Sequence, residues 1–246
     1  MSETGPERVR SIAASAWAFR WRVEREAEVR FERLAGRMER LGDPAELVAL
    51  ARRASGDERR HAAICARRAA ALGEPPAVPA PPEVAEVAPR DLSPRDRVLY
   101  EVVAACCITE TESMGVLATL LAEAREPGLR SALHALAQDE VRHARLGWAY
   151  LARAGETGDV AFLGPLVPAM LAGSVEPGLF GPAAAGADGE ALLQLGVLPH
   201  RLKREVLERA LLEVVFPGLE RLGVGAGSAR RWLTGRQGGE PASEAP

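Results

Sequence analysis

Two hexapeptides constrain this chain more than anything else in it. Asp57-Glu58-Arg59-Arg60-His61-Ala62 and Asp139-Glu140-Val141-Arg142-His143-Ala144 match at every position but one and lie 82 residues apart. Each contains Glu-x-x-His, which sets a carboxylate and an imidazole one turn apart on one helix face. A single copy is common on exposed helices and carries little information. Two copies in similar Ala-rich, apolar surroundings point to a bundle that holds two metal ions, because such bundles use this pair on two helices and one Glu from each of the other two.

The missing glutamates are found by following the apolar seams. A first helix is expected over 7–41, with Trp17, Trp21, Ala27, Phe31, Leu34, Met38 and Leu41 spaced by threes and fours. Glu24 stands on that seam, seven residues from both Trp17 and Phe31. A carboxylate on an apolar stripe is costly unless something neutralises it. Gly42-Asp43-Pro44 reads as a stop, an N-cap and a first helical proline. The second helix, 44–72, carries Leu47, Ala51, Ala54, Glu58, His61 and Cys65 on one face. Residues 73–93 hold six prolines and cannot be helix. Extended, they reach roughly 60 Å at about 3.1 Å per residue, more than the roughly 43 Å of the second helix. A crossover along the bundle is therefore expected; an interdomain linker is the plainer reading. The third helix, 94–125, puts Glu110 on a seam with Leu99, Val103, Cys106, Leu117 and Leu121. The fourth, 128–153, aligns Leu133, Leu136, Glu140, His143, Gly147 and Leu151. Helices one and two thus repeat as three and four.

Counted from the hairpin turns, Glu24, Glu58, His61, Glu110, Glu140 and His143 all fall about 20–25 Å along their helices. Four carboxylates at one dry level would repel and take up protons, with raised pKa values. Two divalent cations balance them. Carboxylate and imidazole donors with open positions suit iron or manganese better than structural zinc. Glu28 competes with Glu24, and Glu112 with Glu110. Asp57 and Asp139 read equally as outer partners of the imidazoles or as solvated partners of Arg60 and Arg142. Cys65, Cys106 and Cys107 read as small packing residues, and His134 and His200 as surface groups. Beyond the bundle (7–154), an extension over 155–233 is expected: a short helix around 160–171, then a longer one over 198–222 bent or ended near Pro217. Its apolar face is Leu202, Val206, Leu207, Ala210, Leu211, Val214 and Val215. Residues up to Pro6 and the 234–246 tail read as disordered.

The chemistry also has exclusions. A net charge of −3 gives no reason to expect nucleic acid, and arginines interleaved with glutamates read as solvated helix faces. No apolar run is long enough for a bilayer, no signal-peptide core follows Met1, and three cysteines make no disulfide framework. A cytoplasmic protein is the simplest expectation.

The whole pattern resembles the ferritin-like di-iron carboxylate superfamily over about 17–151. Cys107-Ile108-Thr109-Glu110-Thr111, followed by the second hexapeptide, looks like a bacterial group of ferritin-like proteins whose first-helix Glu precedes a Phe by seven residues, as Glu24 precedes Phe31. The resemblance implies an all-α four-helix bundle with a long crossover, two iron ions (manganese in one or both positions being the alternative), and oxygen or peroxide chemistry at the six residues. Three functions compete: an oxygen-activating oxidoreductase with a small organic substrate and an electron donor, a ferroxidase or peroxide scavenger with no organic substrate, or a metal-free helical interaction module. Rubrerythrins add a Cys-x-x-Cys iron domain, which has no counterpart here. The long C-terminal extension is unusual for a ferritin that stores iron in a shell.

Overall fold

A computed structural model describes residues 5–76, 82–175, 177–180 and 189–237; among these there is helix and no strand. Helix α1, Gly5–Arg40, and α2, Ala45–Leu72, form an antiparallel hairpin. Gly42 turns it with φ 70°. Asp43 does not cap α2 as its position suggests. Pro44 occupies the N-cap, and Asp43 instead accepts hydrogen bonds from Tyr150 Oη and Arg95, each 2.8 Å, tying the turn to the other half of the bundle. Gly73, at φ 104°, closes α2 with N–H groups of Gly73 and Glu74 returned to Ala70 and Ala69.

The crossover then runs back along α1. Ser15 donates to Glu74 (2.8 Å) near one end, and Arg33 donates to the carbonyls of Val84 (2.8 Å) and Ala85 (3.2 Å) near the other. Eighteen helical residues from Ser15 to Arg33 span about 27 Å, so the described ends of the crossover are tied to α1 at two points well separated along it; residues 77–81 between them lie outside the described residues. Held against α1 at both of these ends, the segment joins two halves of one bundle and is not an interdomain linker.

A 30-residue helical span, Pro94–Glu123, follows, and it differs from the expected simple helix. It consists of α3, Pro94–Val102, a π-helical stretch, Val103–Thr109, and α4, Glu110–Glu123. It is long and apolar enough to cross a bilayer by composition, contrary to the sequence expectation. In the fold it is a core helix carrying buried Glu101 and Glu110. Every residue from Val98 to Ile108 is buried. A helix apolar on all sides must be covered on all sides, and here α5 covers one face and the extension another.

Helix α5, Pro127–Thr157, starts where the Glu126 carboxylate accepts N–H groups of Gly128 and Leu129, both at 2.6 Å. It approaches the π stretch closely at Gly147, where a Cβ would lie 2.6 Å from Cys106 Cβ and 2.9 Å from the Cys107 nitrogen. The extension comprises a 3-10 turn Ala161–Leu166, α6 (Val167–Ser174), a short turn Pro177–Phe180, α7 (Gly189–Gln194), α8 (His200–Arg209), α9 (Phe216–Arg221) and α10 (Gly227–Gln237). Pro217 does not end the long helix. It lacks an N–H and presses on the carbonyl four residues back, and the chain passes it by widening into a second π stretch, Ala210–Val215. That shift leaves Val214 48% exposed, although the apolar seam had included it. Two terminal expectations also change: helix begins already at Gly5, and α10 continues to Gln237, so 234–237 are ordered; the rest of the expected tail lies outside the described residues.

The bundle has two apolar cores. Phe31, Ala54, Ile108 and Leu146 belong to one, and Trp17, Cys65, Leu117 and Leu136 to the other. On each of the four bundle helices, the residues expected to bind metal lie between a residue of the first core and one of the second. Gly147→Ala should destabilise the protein by about 1–3 kcal/mol in denaturant unfolding. Gly56→Ala, mid-helix with open space at its Cβ, should stabilise it by about 0.5–1 kcal/mol. Equal effects of the two would contradict the close approach of α5 to the π stretch.

Candidate metal centre

The polar layer between the cores is built from the two repeated motifs. Glu58 and His61 come from α2, and Glu140 and His143 from α5; all four are buried. Glu58 lies 3.1 Å from His61 Nδ1 and 3.0 Å from His143 Nδ1. Glu140 lies 3.1 Å from His143 Nδ1 and 3.8 Å from His61 Nδ1. Each of these carboxylates therefore reaches both imidazoles. Glu24 joins Glu58 and His61 in one set of converging donor atoms, and Glu110 joins Glu58, Glu140 and His143 in another, each set within 4.8 Å. All six residues expected from the sequence meet. The competitors do not. Glu28 faces outward in an ion pair with Arg59 at 2.7 Å, and Glu112 is half-buried on α4, facing Lys203 of α8. Ser113, one turn beyond Glu110, was not anticipated; its hydroxyl stands 3.4 Å from Glu140 Oε1.

The far sides of the imidazoles are engaged crosswise. His61 Nε2 donates to Asp139 Oδ2 (3.1 Å), and His143 Nε2 to Asp57 Oδ2 (3.3 Å), so each aspartate serves the histidine of the other helix. The arginine pairing is present as well, since Arg60 and Arg142 each bridge Asp57 and Asp139, but the aspartates are not solvated: Asp57 is buried and Asp139 nearly so. With Nε2–H committed to a carboxylate, Nδ1 is the nitrogen that faces the glutamates, and a metal ion bound among them would take its lone pair. Phe31 stacks obliquely on His143 at 5.3 Å between centroids and closes that side to water.

The electrostatics are those of a site short of positive charge. Burial, then the proximity of Glu58, push Glu24 well above the ordinary carboxylate range; burial, then Glu140, do the same to Glu110. Glu58 departs from the expectation that all four carboxylates would be raised. Burial opposes its charge, but hydrogen bonds from His143 and His61 hold it down at about 2. His143 is the counterpart: burial disfavours its charge, yet hydrogen bonds to Glu140 and Glu58 push it up to about 10. Protons are thus retained where the donor set leaves negative charge in excess. Four carboxylates and two imidazoles around two donor clusters fit a pair of divalent cations, which would replace those protons. The three cysteines are free, buried and raised by burial, as packing thiols would be. His134 is exposed; His200, expected at the surface, is half-buried.

The rubrerythrin family model matches residues 19–147, just over half of the chain and the part that carries all six residues. No curated protein matches the chain. Among solved structures, the fold is similar to that of Protein 19 with aldehyde deformylating oxidase activity from Synechococcus, with a TM-score of 0.62, 18% identity, and coverage of 94% of this chain and 99% of that one. An all-α ferritin-like bundle, a duplicated Glu-x-x-His pair and a family match across both copies agree: the chain belongs to the rubrerythrin family, within the ferritin-like di-iron proteins.

Proposed function

We propose that the protein is a di-iron oxidoreductase that uses oxygen or peroxide on a small organic substrate. The observation that carries this reading is the pair Glu58 and Glu140, each within reach of both imidazoles. Glu58 and Glu140 would serve both metal positions, Glu24 and His61 one of them, and Glu110 and His143 the other. Two ferrous ions held this way would supply the electrons that reduce oxygen. The chain's own residues do the rest. Asp139 and Asp57 fix the imidazole tautomers through Nε2–H, and Arg60 and Arg142, each paired with both aspartates, hold them in position. Phe31 keeps water from the centre.

An organic substrate is favoured over a ferroxidase role by the extension. Helix α8 lies against α4, with Val206 3.0 Å from the position a Cβ of Gly115 would take, and Lys203 opposite Glu112. A protein that only oxidises iron has no evident need to cover that flank. The fold likeness to a protein named for aldehyde deformylating oxidase activity makes aldehydes a sensible first class to assay. The convergence of all six residues speaks against a metal-free interaction module.

Purified protein should contain about two iron or manganese ions per chain, and Glu140→Ala should lose at least one; full metal content in that variant would contradict the six-residue site. Anaerobic ferrous protein should develop a near-ultraviolet ferric band on exposure to air, and iron-loaded protein that stays silent would argue against oxygen chemistry. Screening aldehydes with a reductant and oxygen should yield an oxidised organic product; iron oxidation alone across the panel would favour the ferroxidase.

The pKa shifts set a pH dependence for the metal-free protein. Glu24 and Glu110 are raised, so the native state keeps protons that the unfolded chain releases near the ordinary 4.5. Their stabilisation is present below that pH and is lost as pH rises through their folded values. His143 acts in the same direction: its contribution is complete below 6.5 and is lost as pH rises through about 10. Glu58 acts oppositely but only in acid, losing its contribution as pH falls from 4.5 through about 2. Thermal unfolding of metal-free protein should therefore show a midpoint that declines from about pH 5 to about pH 9, while the gain from reloading metal grows over that range. Parallel melting of both forms at every pH would mean that these carboxylates do not share one site.

A further inference from the structure

A second polar cluster lies at the hairpin end of the bundle, about 20 Å along α1 from Glu24 at 1.5 Å per residue. A cavity of about 240 Å³ is lined there by Arg37, Arg40, Leu41, Pro94 and Arg97. Behind it stands an ion network. Arg37 donates to buried Glu101 (2.7 Å) and to Glu86 of the crossover; Arg97 donates to Glu86 (3.0 Å); Arg33 lies 3.4 Å from Glu86 and 3.9 Å from Glu101. Arg40 makes no ion pair or hydrogen bond with the described residues, and Arg97 Nε is buried without a partner. The network and cavity wall together hold four guanidinium groups, of Arg33, Arg37, Arg40 and Arg97, against two carboxylates, of Glu86 and Glu101. Two positive charges are left uncompensated, and the cavity is where they meet.

We propose that this cavity binds a doubly charged oxyanion, the phosphate group of a small molecule or phosphate itself. Guanidinium forks match phosphate oxygens geometrically and hold them with charge-assisted hydrogen bonds. A dianion supplies the charge the cluster lacks. The first turn of α3, which begins at Pro94, adds the positive end of a helix dipole. Leu41 and Pro94 offer an apolar wall to an organic substituent. The bound anion would join α1 to α3 at the point where Glu86 already fixes the crossover. The assignment is independent of the metal centre.

The test is calorimetric titration of the metal-loaded, full-length protein at low ionic strength with inorganic phosphate and, separately, with phenyl phosphate, with sodium chloride at matched ionic strength as the control. Saturable binding of one anion per chain is expected, weakened about five-fold or more in Arg40→Gln and in Arg97→Gln. Tighter binding of phenyl phosphate assigns an organic phosphate; equal or weaker binding assigns the inorganic ion. Heats matched by chloride, or both variants binding as the parent does, would overturn the proposal; the latter result would place any bound phosphate elsewhere, the metal centre included. Thermal midpoints give a second reading: phosphate should raise that of the parent protein and leave that of Arg40→Gln nearly unmoved.

Discussion

The structure depends on how charge is neutralised at one level of the bundle. Four glutamates project into a layer from which water is excluded, and like charges in a dry medium repel strongly. The two histidines answer part of that repulsion, which is why Glu58, lying between them, holds its proton so weakly. Glu24 and Glu110 are raised by burial and by neighbouring glutamates, with no hydrogen bond from an imidazole to oppose it, and keep theirs. The site therefore has a fixed deficit of positive charge, divided between two donor clusters that share Glu58. A pair of cations would remove it; protons only mask it.

Everything around that layer holds it in place. Apolar cores lie above and below it, so all four helices are packed on both sides of the residues that face the layer. The Asp57–Asp139–Arg60–Arg142 ring links α2 to α5 through the backs of both imidazoles. The π stretch ends at Thr109, next to Glu110, and Gly147 lets α5 approach it. Thr109 donates to the Ala104 carbonyl (3.0 Å) and lies 3.3 Å from Ser174 of α6. The extension thus touches the backbone from which Glu110 projects. A π stretch beside a functional carboxylate is a frequent arrangement, because the widened turn re-aims the side chain that follows.

Much of this was legible in the residues. Two Glu-x-x-His copies identified four members of the site, and the cost of carboxylates on apolar seams singled out Glu24 and Glu110 over Glu28 and Glu112. The crossover followed from its prolines. The π stretches were not legible, since helical periodicity assumes one residue spacing throughout; the unbroken apolar run from Val102 to Ile108 was the available signal that this segment is covered on every side. Nor was the network of Arg33, Arg37, Glu86 and Glu101. Alternating charges along α1 read as a solvated face, and only the return of the crossover over that face buries them. The split between Glu58 and the outer glutamates depends on distances of about 3 Å to two imidazoles, which residue order does not carry.

The central claim is that six side chains of this chain hold two metal ions between two apolar cores. Anomalous diffraction at the iron edge, from crystals of protein loaded anaerobically with ferrous iron, tests it directly. The account predicts two anomalous peaks, one beside Glu24 and His61 and the other beside Glu110 and His143, with the Glu58 and Glu140 carboxylates reaching both. A single peak, peaks elsewhere on the chain, or none within this layer would contradict it.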